Sequence, residues 1–406
     1  MKEILLWISS FFTLVISIFW IQVLFTKNEK SKETGKFPKV SILIPAYNEE
    51  KNISKTIESV LKLNYPKNKI EIIVIDDSST DKTAQIAEKF KNVKVIYNKH
   101  NGPGKASALN AGLKHVSGDF FAVVDADSEI EEDSLKNIMG YFDDKKTGAV
   151  ISSIKIKNPK NVYQHIQRLE YILSTFMRKL MSKIDTLHIT PGVLSVYKSA
   201  LIKKLGGFDE NNITEDLEIA LRLRINNYSV KISPDSITYT KVPSNFKELW
   251  NQRIRWFRGF IYNHLKYKKM FMNRKYGLTG IFQMPLNVIT FFMVILLFFL
   301  ISYELLARMY EFIFKAILLK NNLFIIYLDF PTIKELVLNI DLKLIFPFII
   351  TFFLSVYLLN KAHKSMNEKI LFNPSLLIYF TVYPILRMMH WIVAFYKEIR
   401  NTKRKW

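Results

Sequence analysis

Residues 4–25, ILLWISSFFTLVISIFWIQVLF, hold no charged side chain. About 20 apolar residues in helical form match the hydrocarbon core of a bilayer, so this run ties the chain to a membrane. It is long for the apolar part of a secretory signal, and no small-residue cleavage site follows it. Lys27, Lys30, Lys32 and Lys36 follow instead. A basic cluster beside a span marks the cytoplasmic side, which places the N-terminus outside and the next segment in the cytoplasm.

Apolarity returns near residue 284. Met284–Tyr303 and Leu342–Leu359 predict further crossings. Ser375–Tyr396 is interrupted by Pro384, Arg387 and His390, and Glu311–Leu328 by Lys315, Lys320 and a pair of asparagines. Three crossings after a cytoplasmic domain would strand the basic tail (Lys397, Arg400, Lys403, Arg404, Lys405) outside, against the positive-inside tendency. Either Glu311–Leu328 also crosses or the last segment re-enters without spanning. The expected organisation is an N-terminal membrane helix over 1–26, a cytoplasmic domain over 38–245, interfacial amphipathic helices over 246–277 and a C-terminal membrane region over 284–396 of three or four helices.

The segment between the membrane regions alternates strand and helix patterns. Val40–Ile44, Glu71–Ile75, Val93–Ile96 and Phe120–Val124 read as strands, and Glu50–Leu63, Lys82–Phe90 and Ala106–Lys114 as helices. Such βαβα alternation predicts an α/β fold with a doubly wound, mostly parallel sheet, whose ligands bind at the carboxyl ends of the strands. The formal charge of +22 favours anionic partners, and the absence of cysteine excludes disulfides and thiolate metal sites. The seven histidines form no HExxH pair. A Walker A loop is excluded because Lys99 stands where its first glycine belongs and Ala106 replaces the Ser/Thr after Gly104-Lys105. A dinucleotide fingerprint is excluded because Pro45-Ala46-Tyr47-Asn48 follows the first strand. The basic residues are dispersed without an aromatic-interleaved motif, so nucleic acid is not an expected partner.

Carboxylates stand where strands should end. The run Ile72–Ile75 meets Asp76 and Asp77; a carboxylate there can accept from a nucleobase or ribose, or simply form a turn. Phe120–Val124 is followed by Asp125-Ala126-Asp127. Residues two apart on a strand share a face, so these acids can bracket a hard divalent cation that neutralises a diphosphate, or they simply form a strand-end turn. Thr214-Glu215-Asp216 opens a helix, either as an N-cap with acids in the first turn or as a general base near an acceptor hydroxyl. In Gln252-Arg253-Ile254-Arg255-Trp256, the residues Gln252, Arg255 and Trp256 share one helical face suited to a pyrophosphate and a sugar ring. The same helix also carries an apolar stripe (Trp250, Ile254, Phe257, Ile261) bordered by Arg253, Arg255 and Arg258, as an interfacial helix would.

In this order, SILIPAYNEEKNI, IIVIDDSSTDKT, NGPGKASALNAGL, VVDADS, TPGVLSVYKSAL, GGFDENNITEDLEIALRL and QRIRW resemble the family 2 glycosyltransferases of the membrane branch with a Q-x-x-R-W motif, which includes cellulose, hyaluronan and poly-N-acetylglucosamine synthases. The resemblance covers roughly residues 38–265 and implies a GT-A-type fold. It implies an inverting, metal-dependent transfer from a nucleotide-sugar, UDP-GlcNAc being the leading donor, with Mg²⁺ or Mn²⁺ as cofactor. Carried onto matching positions, Pro45, Tyr47, Glu49, Asp76 and Lys105 lie at the donor, Asp125 and Asp127 hold donor and cation, and Asp216 is the base. Gln252 and Arg255 grip the diphosphate, while Trp256, Glu215 and Gly192 face the acceptor. The acceptor is a growing β-linked polysaccharide or, alternatively, a lipid or lipid-linked glycan that takes a single sugar. Membrane lipids surround the spans, and an accessory subunit is left open.

Overall fold

The computed structural model describes residues 2–27, 37–98, 104–318, 342–371 and 373–403. Lys30, Lys32, Lys36, the Asn101–Pro103 part of the NGPGK stretch, residues 319–328 of the doubtful crossing and tail residues Arg404 and Lys405 lie outside them. The chain divides into two compact units, Met1–Phe25 with Asn287–Lys361, and Thr26–Leu286 with Ala362–Trp406.

The second unit carries an eight-stranded sheet in the order β3-β2-β1-β4-β7-β6-β8-β5. Its strands are β1 (Val40–Ala46), β2 (Ile70–Asp76), β3 (Val93–Tyr97), β4 (Phe120–Val123), β5 (Glu129–Ile130), β6 (Thr147–Ile156), β7 (Ser195–Lys198) and β8 (Ser229–Thr240). The half predicted by the alternation is parallel: β1 pairs with β2 and β4, and β2 with β3. The other half is mixed, with β7 antiparallel to β4 and β6, β6 parallel to β8, and β5 antiparallel to β8. The central strands are apolar on consecutive positions because both faces are covered. On β1, Ile42 and Ile44 point into one core with Ile72 and Val74, and Leu43 points into the other with Ile73 and Ile75.

Helices α2 (Ile53–Leu61), α3 (Thr83–Glu88), α4 (Lys105–Leu113), α5 (Ser134–Met139), α6 (Val162–Lys183), α7 (Ser199–Lys204) and α8 (Glu215–Ile225) complete the domain. Register puts the ends of β1 and β2 side by side, Ala46 opposite Asp76, so their following loops share one edge.

Helix α9 (Phe246–Lys266) carries the QRIRW segment. It meets the start of α8 at Gly259, where an added Cβ would lie 2.1 Å from Thr214 Oγ1 and 2.8 Å from its Cβ. Asn263 locks the contact, accepting from Asn212 at 2.7 Å and donating to Thr214 at 3.0 Å. Arg253 and Arg258, expected beside an interfacial stripe, are instead buried and ion-paired, with Glu170 and Glu398 at 2.6 Å each. The reason is that α9 has a second helical neighbour, α13 (Tyr383–Ile399), which stacks Trp391 on Phe257 at 4.1 Å.

Two stretches among the described residues are long and apolar enough to cross a membrane: Ile4–Phe25 in helix α1 (Lys2–Phe25), and Thr279–Lys315, which begins in a π-helical turn (Thr279–Gln283) and runs on into α10 (Met284–Leu318). The doubtful segment beginning at Glu311 is, to Leu318, the continuation of α10 rather than a separate helix, since no breaker interrupts the register. The expected crossing at Leu342–Leu359 is helical within α11 (Leu342–Ser365). Ser375–Tyr396 is a broken pair, α12 (Pro374–Thr381) and α13, bent by 45° at the Val382-Tyr383-Pro384 junction.

Candidate active site

Asp76 is the last residue of β2 and is buried. Its Oδ2 accepts from the Ser79 amide at 3.3 Å, so the turn is real, but its Oδ1 is buried without a partner. A buried acceptor left unsatisfied is costly, so Oδ1 has the capacity to accept a further hydrogen bond that the turn does not use. Beside it, Tyr47 is exposed and Glu49 is half-buried, its carboxylate accepting from Asn52 at 2.6 Å. Burial raises the Glu49 carboxyl, Asn52 and Lys241 oppose it, and Asp125 adds to the rise.

Of the two readings of Asp125-Ala126-Asp127, a continued strand face and a strand-end turn, the structure has the turn. β4 ends at Val123, and the three residues form a turn in which Ser128 N donates to Asp125 O at 3.0 Å. The strand stops because Asp125 N pairs instead with Gly192 O at 2.9 Å, drawing the chain toward the segment before β7. The carboxylates are still neighbours. Burial, then Asp125 and Glu49, push the Asp127 carboxyl up to about 7.

Lys105, the first residue of α4, reaches into this group. Its Nζ bonds Asp125 Oδ1 and lies 3.5 Å from Glu215 Oε1. Gly192 makes room for it, since a Cβ there would stand 1.9 Å from Nζ and 2.7 Å from Asp125 Oδ1. Glu215 is buried, and despite Lys105 its carboxyl rises to about 7 through burial, with Asp216 adding to the rise. Burial also raises Asp216, opposed by Lys105 and Arg255. Thr214 does not cap α8 with its hydroxyl, which is engaged by Asn212 and Asn263. Asp216 bonds the adjacent Leu217 amide at 2.8 Å, and its carbonyl accepts from the Thr190 hydroxyl at 2.8 Å.

Arg255 Nη1 donates to Ile213 O at 3.3 Å, next to the Thr214–Asp216 turn. Gln252 and Arg255, with Asp127, Tyr239 and Lys241, line a cleft of about 1260 Å³. Trp256 is half-buried, its ring 4.2 Å from the Arg253 guanidinium. The expected residues therefore gather in two linked groups. Pro45, Tyr47, Glu49 and Asp76 lie at the β1–β2 edge; Asp125 and Glu215 meet at the Lys105 ammonium, which Gly192 admits and whose field reaches Asp127 and Asp216, with Gln252 and Arg255 at the cleft.

One residue escaped the sequence reading. Arg178 on α6 has a buried Nη1 without a partner, and burial lowers its pKa against the opposing fields of Tyr171, Asp216 and Glu170. Its spacing from Tyr171 and Ser174 puts it on one face of α6, but Arg168, Glu170, Lys179 and Lys183 on the same helix leave no local signal that singles it out.

The family model described as glycosyl transferase family 2 matches residues 41–206. A Bacillus subtilis protein described as the probable glycosyltransferase YdaM is 33% identical over 296 residues, covering 66% of this chain and 70% of that one. The chain belongs to the family 2 glycosyltransferases. This family 2 enzyme is also 31% identical over 269 residues to the poly-β-1,6-N-acetyl-D-glucosamine synthase of Staphylococcus epidermidis, covering 61% of its own length and 64% of the synthase. Its fold matches that of the mannosyltransferase PcManGT from Pyrobaculum calidifontis, solved with GDP-Man and Mn²⁺, with a TM-score of 0.65 at 18% identity over 99% of this chain and 100% of that one. The GT-A-type architecture expected from the motifs is thus the fold observed.

Proposed function

We propose that this glycosyltransferase moves a sugar, N-acetylglucosamine in the first instance, from its UDP-linked donor to an acceptor hydroxyl, inverting the anomeric centre and building a β-linked polysaccharide at the membrane. The observation that carries the reading is the Lys105 ammonium, bonded to Asp125 and 3.5 Å from Glu215. It joins the D-x-D turn to the T-E-D helix start, so donor and acceptor chemistry can share one point.

Asp76 Oδ1, Tyr47 and Glu49 suit the nucleoside. Gln252 and Arg255 supply N–H donors for the diphosphate from the cleft wall. Asp216 accepts the proton of the attacking hydroxyl, and Trp256 and Glu215 border the acceptor with Gly192 beneath Lys105. The group fits a divalent cation: Glu49, Asp125, Asp127, Glu215 and Asp216 outnumber Lys105 and Arg255, and burial with mutual repulsion raises Asp127. Among the described residues no three metal-binding side chains converge. Asp125 and Asp127 would hold Mg²⁺ or Mn²⁺, leaving places for phosphate oxygens and water as Mg²⁺ sites commonly do. When bound, the cation neutralises charge on the diphosphate leaving group.

The 45° break between α12 and α13 and the packing of α13 on α9 favour the re-entrant alternative for the last segment. With α1, α10 and α11 as crossings, domain and tail both lie in the cytoplasm, as the positive-inside tendency requires. The test is transfer from a panel of labelled nucleotide-sugars by membranes holding the full chain, with products run on a gel. UDP-GlcNAc should be used, chelator should abolish transfer, and Mg²⁺ or Mn²⁺ should restore it. Long products support polymer synthesis; a single added sugar would select the lipid-acceptor alternative. Full activity in excess chelator would remove the cation.

A further inference from the structure

Arg253 sits inside the QRIRW segment, yet its side chain does not face the cleft. It is fully buried, and its guanidinium is engaged on every side. Nη2 donates to Glu170 Oε2 on α6 at 2.6 Å, and Nη1 to Gln252 Oε1 at 2.5 Å. Nε approaches the Tyr383 hydroxyl at 3.4 Å, and that hydroxyl donates to the same Glu170 Oε2 at 2.8 Å. The flat face of the guanidinium lies 4.2 Å from the Trp256 ring. Arg387 of α13 adds a second cation 3.8 Å from Glu170 Oε1.

The network has a chemical consequence for the cleft. An amide side chain carries one acceptor oxygen and one donor nitrogen. With Oε1 of Gln252 held by Arg253, the donor Nε2 is the group left for a ligand, and a diphosphate needs donors. The guanidinium also fixes the plane of the Trp256 indole through its face. Glu170 holds Arg253 in that pose, and Tyr383 holds Glu170. Tyr383 opens α13 at the 45° bend from α12.

We propose that Glu170 and Tyr383 are positioning residues which, through Arg253, set the amide of Gln252 and the indole of Trp256, so that the bent helix pair α12–α13 is a working part of the transfer site. The proposal rests on Gln252 binding the donor diphosphate. It predicts that Tyr383→Phe, which removes one hydroxyl and keeps the ring, weakens donor use without unfolding the protein. Losing a hydrogen bond to a charged group corresponds to about a tenfold rise in donor KM.

The experiment is a double-mutant cycle on the full chain in membranes, with donor KM and kcat measured for wild type, Tyr383→Phe, Gln252→Ala and the pair. Glu170→Gln serves as a second probe should Tyr383→Phe be poorly expressed. The expected result is a raised KM in each single variant and no further rise when Tyr383→Phe is added to Gln252→Ala. Equal effects of Tyr383→Phe in both backgrounds, or no effect with Gln252→Ala still impaired, would overturn the positioning role alone. An unchanged KM in Gln252→Ala would instead remove the diphosphate assignment, and the proposal with it.

Discussion

Lys105 decides how the acids around it behave, because it is the cation bonded to Asp125 and within 3.5 Å of Glu215. Asp216 lies in the same field, and a positioned base contributes about 10²–10⁴-fold to proton transfer. Asp216→Asn keeps the oxygen that accepts from Leu217, so turnover should fall by that factor while donor binding, followed by displacement of a labelled nucleotide, is retained. Glu215→Gln should cost less; equal losses would assign both residues to the helix start alone. Glu215 also carries a pH signature. Its carboxyl is raised from 4.5 to about 7 by burial, so the folded state prefers it protonated. That contribution to stability is complete below the unfolded value and is lost as pH rises through the folded one. In thermal melts with chelator, the Tm of Glu215→Gln should therefore gain on wild type between pH 5 and pH 8, and a constant difference would contradict the shift. Asp76, the D-x-D acids and the T-E-D acids were all visible as sequence signals, because strand ends and helix starts announce themselves in hydrophobic pattern. The turn at Asp125 was one of two readings the sequence left open; what decides for it, Gly192 accepting from the Asp125 amide, is a long-range contact that no local pattern shows. The burial of Arg253 was equally hidden, because its partners Glu170 on α6 and Tyr383 on α13 stand far away in the chain.

At the scale of elements, the contact of α9 with α8 is what brings QRIRW to the T-E-D start. Gly259 permits it, for a methyl there would collide with the Cβ of Thr214, which no rotamer change can move. Gly259→Ala is expected to cost about 1–3 kcal/mol of stability by overpacking. It should also lower transfer by displacing Arg255, measured as a lower Tm with a raised donor KM. Wild-type values for both would show that the helices do not need this approach. The parallel half of the sheet was legible because its strands are short apolar runs separated by amphipathic helices. The mixed half was not: β7 runs antiparallel between β4 and β6, and β8 pairs with β6 across register shifts around Ser152 and Ser153, features that no local periodicity encodes. The apolar stripe of α9 was legible, but not that α13 stacks Trp391 on its Phe257.

For the whole molecule, the proposed site follows one apolar stretch in sequence, Ile4–Phe25, and precedes another, Thr279–Lys315, and its cytoplasmic placement is a proposal. The absence of cysteine makes this simple to test, since single cysteines can replace the exposed residues Lys114 and Lys403. Both should resist impermeant thiol reagents in intact cells and react after permeabilisation; labelling at Lys403 alone would restore α12–α13 as a crossing. The proposed reaction is a single in-line displacement on a nucleotide-sugar beside Lys105, in which the acceptor hydroxyl attacks the anomeric carbon, the nucleoside diphosphate leaves and Asp216 takes the acceptor proton. The most direct measurement is the anomeric configuration of the product, read by nuclear magnetic resonance after the full chain is supplied with an α-linked UDP-sugar and a divalent cation. The product should be β-linked, and an α-linked product would contradict the single displacement.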